Sequence, residues 1–63
     1  MDVAKNLREA RGPIPRAKVC VDVGIAYSTL TMYETGQRIP RDEIKVKLAR
    51  YYGRSVESLF FDS

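Results

Sequence analysis

Three sets of residues in this sequence could do chemistry. The first is Cys20, its one cysteine; histidine is absent. A single thiol forms no disulfide within the chain, and without histidine there is no Cys/His zinc site and no Ser-His or Cys-His nucleophile pair. Cys20 reads as a small core residue, with an exposed, low-pKa redox thiol as the lesser alternative. The second set is basic: Arg38, Arg41, Lys45, Lys47, Arg50 and Arg54, facing only Asp42 and Glu43 between positions 36 and 54. Such a run attracts polyanions, nucleic acid first, although a solvated helix face is the plain alternative. The third set, Tyr27, Ser28, Thr31, Met32 and Thr35, recurs at helical spacing and carries hydroxyls and a thioether but no charge. Hydroxyls at that spacing can donate to and accept from a partner surface; they cannot activate a nucleophile alone.

The elements that must position these groups are short helices. Gly12, Gly24, Gly36 and Gly53 punctuate the chain, and each follows a stretch of helical rather than alternating periodicity. Asp2 caps a first helix with Val3, Leu7 and Ala10 on one face, and Gly12 gives it a left-handed end. A second helix runs from about Arg16 to Val23 and buries Val19, Cys20 and Val23. A third runs from about Tyr27 to Thr35, with Leu30 and Tyr33 inward. The fourth starts after Pro40 with Asp42 and Glu43 in its first turn, where the helix dipole favours acids. Its apolar stripe is Ile44, Leu48, Tyr51 and Tyr52. Ser55 caps a last turn or two, Val56 to Phe61. With no convincing strand, the expectation is one all-α domain of five helices over residues 1–63.

The chain of 63 residues has a formal net charge of +3, and 44% of it is apolar. That is globular composition in one small domain, without room for a catalytic cleft and its supporting core. No apolar run approaches the ~18 residues of a membrane span, and no signal peptide is evident. The expectation is a soluble cytoplasmic module that is not an enzyme and needs no cofactor or metal.

Residues Arg16 to Thr35 carry the most specific pattern. Counted from Arg16, apolar residues fall at the fourth, eighth, tenth, fifteenth and eighteenth places (Val19, Val23, Ile25, Leu30, Tyr33), a small one at the fifth (Cys20) and glycine at the ninth (Gly24). Two helices crossing steeply need the small side chain at their close approach and a residue tolerant of positive φ between them. Together with Leu7–Gly12, the Glu34-Thr35-Gly36-Gln37-Arg38-Ile39-Pro40 segment and Ser55–Phe60, this resembles the Cro/phage-repressor class of helix-turn-helix regulators, called XRE-like, over nearly the whole chain.

The resemblance implies a repressor-like domain with the helix-turn-helix at helices two and three, the third lying in the major groove of double-stranded DNA. Carried over residue by residue, Tyr27, Ser28 and Met32 face base edges. Arg16, Thr29, Thr31, Thr35, Gln37, Arg38 and Arg41 meet the backbone, with Gln37 and Arg38 as solvated loop residues the alternative. Arg8 and Glu34 form an internal ion pair. The sequence departs from the family in three ways, one of them a Gly12-to-Arg16 connection one residue longer than the usual pattern and stiffened by two prolines. No Arg, Lys, Gln or Asn lies between Ala26 and Thr35, so the bidentate base readers are missing. Pro15 and Ala26 stand where the family often has a capping Ser or Thr.

The implied function is a transcriptional regulator, a repressor that binds an inverted repeat as a homodimer. Tyr51, Leu59 and Phe61 are the candidate dimer contact, against the alternative that Phe61 packs on helix one. Without a sensor segment, the expectation is control by concentration, by a protein partner or by displacement by a competitor. The competing reading is a helix-turn-helix scaffold for protein interaction, an antirepressor or adaptor, since Tyr and Met also suit protein interfaces.

Overall fold

The computed structural model describes residues 2–61 as five helices: α1 (Val3–Arg11), α2 (Arg16–Val23), α3 (Tyr27–Glu34), α4 (Asp42–Tyr52) and α5 (Val56–Phe60). No strand occurs among the described residues, and none of these helices is long and apolar enough to cross a membrane. The all-α expectation holds, with small shifts at two ends. Helix α3 stops at Glu34 and leaves Thr35 as its cap; α5 stops at Phe60.

Caps explain most of the boundaries. The Asp2 carboxylate accepts the Lys5 backbone N–H at 3.0 Å, and the Ser55 hydroxyl accepts that of Ser58 at 3.0 Å. Gly24 closes α2 in the left-handed region (φ 83°, ψ 40°), where a side chain would be strained. Gly12 also has positive φ, but ψ is −129°, so α1 ends in a sharper exit than the expected left-handed cap. The chain thereby turns directly into the Pro13–Pro15 loop. Neither Pro15 nor Ala26 supplies a side-chain cap, as their chemistry requires. Arg41, at the start of α4, supplies none either; there Asp42 and Glu43 complement the dipole instead.

The core is formed by Leu7 of α1, Val19, Cys20 and Val23 of α2, Leu30 and Tyr33 of α3, Leu48 and Ala49 of α4, and Leu59 and Phe60 of α5. Helix α1 packs on α3 and α5, α2 on α3 and α4, and α4 on α5. Cys20 sits where α2 meets its neighbours, and burial pushes its thiol pKa up, the reverse of a reactive thiolate. Leu59, expected at a dimer contact, is only 1% exposed and belongs to the core. It cannot touch a partner without opening the domain. Phe61 does not pack back onto the core: it stays 56% exposed, with its ring over the Lys45 ammonium, 4.5 Å from Nζ to the centroid.

Candidate nucleic-acid interface

Helix α3 is set by its two faces. Leu30, Tyr33 and Glu34 are buried, so Tyr27, Ser28, Thr31, Met32 and Thr35 are left along the opposite stripe. Tyr27 is 54% exposed, Ser28 and Thr35 are exposed, and Thr31 and Met32 are half-buried. The sequence-derived base-reading trio of Tyr27, Ser28 and Met32 therefore shares one outward surface.

The two threonine hydroxyls on this face are already committed to the helix. Thr31 Oγ1 donates to the Tyr27 carbonyl at 3.1 Å, and Thr35 Oγ1 donates to the Thr31 carbonyl at 2.8 Å. Gln37 Nε2 in turn donates to Thr35 Oγ1 at 3.2 Å. Each hydroxyl has one proton, so in these rotamers Thr31 and Thr35 present only lone pairs outward. A phosphate offers acceptors alone and gains nothing from them; the amino groups of adenine or cytosine could donate to them. This geometry runs against the expected backbone role of Thr31 and Thr35. Thr29 differs, because it lines an open groove.

That groove, about 600 Å³, separates the start of α3 from the loop before α4. Ala26, Thr29 and Tyr33 line it from the α3 side; Arg38, Ile39 and Arg41 line it from the loop. Arg38 and Arg41 are exposed, and Arg41 makes only a loose 3.9 Å pair with Glu43. With no side-chain acceptor at Ala26, the first N–H groups of α3 remain available next to two guanidinium groups. An anion such as a phosphodiester suits that combination. The basic run read from the sequence is therefore not one stripe: Arg38 and Arg41 flank α3, Lys45 lies under Phe61, and Lys47 and Arg50 line a separate groove.

The far end of α3 is fixed by a buried charge. Glu34 is fully buried, and its carboxylate accepts Arg11 Nε at 2.8 Å, Arg11 Nη2 at 3.1 Å and Arg16 Nε at 2.9 Å. The expected Arg8–Glu34 ion pair is replaced by this arrangement. Arg8 Nη1 donates instead to the Glu34 backbone carbonyl, one of the unpaired acceptors at the end of a helix. Arg11 lies almost one turn further along α1, where the chain turns back, and it also holds the Ile14 carbonyl at 2.9 Å. Arg16 was expected on a phosphate; its Nε belongs to Glu34, and only its outer nitrogens remain for a phosphate. Hydrogen bonding to Glu34, then to Tyr27, keeps the Arg16 guanidinium above its ordinary pKa.

Sequence reasoning missed Arg11 and exposed Ile39. For Arg11 a signal existed: it precedes Gly12, whose turn must bring α2 back past the end of α1. Near Glu34, the Tyr52 hydroxyl is buried without a partner among the described residues.

Compared with known protein families, residues 2–59 match the model of a family described as a helix-turn-helix domain. Comparison with curated proteins and with solved structures gives no match.

Proposed function

Since the chain belongs to this family, one of XRE-like helix-turn-helix DNA-binding domains, we propose that it is a sequence-specific regulator of transcription, a repressor that occupies a short inverted repeat as a dimer. The observation that carries this reading is the pairing of an outward, uncharged α3 face with a groove that holds Arg38, Arg41 and the uncapped α3 amides beside it. Arg38, Arg41 and Gln37 position the protein on phosphates, together with the outer nitrogens of Arg16; Tyr27, Ser28 and Met32 read bases.

The face sets the style of recognition. It has no bidentate reader for guanine or adenine, each worth about 1–3 kcal/mol of discrimination. Met32 can pack on thymine methyl groups, and Thr31 and Thr35 offer lone pairs to amino groups. The rest of the specificity falls to DNA shape. No cofactor takes part. The expected setting is the cytoplasm of a bacterium, where the gene can also belong to a phage or mobile element.

One observation favours a second reading. A recognition face of Tyr27 and Met32 without Arg, Lys, Gln or Asn also suits docking to a protein. Selection from a random duplex pool with the purified protein at moderate salt separates the two. Enrichment of an inverted repeat with half-sites about one helical turn apart supports the dimeric repressor. Retention without a motif leaves shape-led binding only, and no retention even at low salt ends the DNA reading in favour of the docking scaffold.

A further inference from the structure

Two patches outside the proposed DNA interface complement each other. The first is on α5. Phe61 is exposed, and its N–H bonds to the Glu57 carbonyl at 3.0 Å, which places Glu57 one turn earlier on the same side of the helix. Glu57 is exposed and makes no ion pair among the described residues. The second patch is an open groove of about 480 Å³ lined by Asp22 and Val23 of α2 and by Lys47, Arg50 and Tyr51 of α4. Tyr51 is held there, its hydroxyl donating to Asp22 Oδ2 at 2.6 Å, and Lys18 Nζ donates to the same oxygen at 3.0 Å. Asp22 is thus already neutralised by Lys18. Lys47 and Arg50 form no ion pair among the described residues. Val21, the residue before Asp22, is 81% exposed.

We infer that a second copy of this chain fills the groove. Phe61 of one protomer enters between Val23 and Tyr51 of the other, and Glu57 meets Lys47 and Arg50. The inference rests on the dimer reading above and specifies its contact. Charge selects the occupant: two chains of net charge +3 repel unless an acid of one faces bases of the other. Symmetry agrees as well. In a two-fold contact residue i meets j and j meets i, so one chain must carry both knob and groove. It does so on two sides of α4, with Lys45 under Phe61, Lys47 and Arg50 around the helix, and half-exposed Val46 between them. A domain this small also gains from burying a surplus aromatic against a copy of itself.

The test is sedimentation equilibrium of the wild type, of Arg50→Glu, of Glu57→Arg, and of a one-to-one mixture of the two variants. Circular dichroism melts confirm that each variant folds. Each variant alone sets like charges against each other twice, and its self-association weakens at least about tenfold. In the mixture both contacts between positions 50 and 57 again pair unlike charges, with Lys47 facing the introduced arginine in one of them, and association recovers well above that of either variant alone. Phe61→Ala weakens the wild-type dimer without a charge change. A dimeric wild type whose mixed variants associate no better than either alone overturns the knob-and-groove pairing and leaves the dimer standing. A wild type that stays monomeric across the concentration series removes the dimer itself.

Discussion

At its C-terminal end α3 closes on Glu34, whose buried carboxylate is held by Arg11 and Arg16 while Arg8 takes the backbone carbonyl. At its N-terminal end the same helix begins at Ala26, with no capping side chain, and Tyr27 stands half in solvent. One end is anchored to two other helices; the other is left with unspent donors beside an open groove. The contrast separates two tasks within eight residues. The anchored end sets the angle at which α3 is presented, and the open end keeps its hydrogen-bonding capacity for whatever it meets.

The sharpest way to break the contrast is to unfasten the anchored end. Glu34→Ala leaves two guanidinium groups without their acid, a loss of about 3–5 kcal/mol for a broken buried pair. A domain of this size has roughly 3–9 kcal/mol in all. A urea titration is expected to show a transition close to zero denaturant or none; an unchanged midpoint would mean that the hub is not the anchor. The opposite change equalises the ends. Ala26 already has the extended backbone of a cap (φ −72°, ψ 150°), so Ala26→Ser is expected to add about 1 kcal/mol. It also occupies the first amides of α3, so the same protein should bind DNA less tightly despite its greater stability, read by a fluorescence titration.

Tyr52 tests the anchored end from behind. Burial, then the negative charge of Glu34, pushes its phenol up to about 12, from about 10 in the unfolded chain. The raised folded value makes its contribution complete below pH 10 and lost as the pH climbs from about 10 to about 12. Tyr51 is shifted in the same direction by its bond to Asp22. Tyr52→Phe should therefore remove part, not all, of the alkaline fall in urea midpoint. At neutral pH it removes an unpartnered hydroxyl and changes stability by no more than about 1 kcal/mol. The smallest stability effect belongs to the open end: Arg38→Ala is expected to stay within about 0.5 kcal/mol. Its signature lies in binding, where affinity for all sequences drops together and the salt slope shallows by about one. A slope equal to that of the wild type removes Arg38 from the phosphate contacts.

How far the sequence could be read follows the same division. The bounds of α2 were legible because Gly24 is a residue whose conformational freedom leaves one reading, and the inward set Val19, Cys20, Val23, Leu30 and Tyr33 followed from spacing. The outward stripe of α3 is simply what that inward set leaves over. The family resemblance marked Glu34 as half of an internal ion pair, but paired it with Arg8 rather than with Arg11 and Arg16. Three arginines within reach along the chain, Arg8, Arg11 and Arg16, differ only in where two turns place them, and the unusual exit at Gly12 decides that in three dimensions. The hydroxyl commitments of Thr31 and Thr35 were likewise hidden, since a rotamer leaves no trace in residue type. Leu59 shows the limit for surface contacts, because an apolar residue near a terminus looks the same whether it faces a partner or the core.

The hub at Glu34 has a consequence for how such a domain can change over generations. The side chains that fix the pose of α3 are Arg8, Arg11, Arg16 and Glu34; those that face outward at Tyr27, Ser28 and Met32 contribute little to that pose. On the proposed reading, substitutions in the second group are screened by what they recognise rather than by whether the chain still folds. A lineage can therefore exchange one target for another in single steps, each of them a folded protein, while mutations in the first group are removed before their recognition is ever tried.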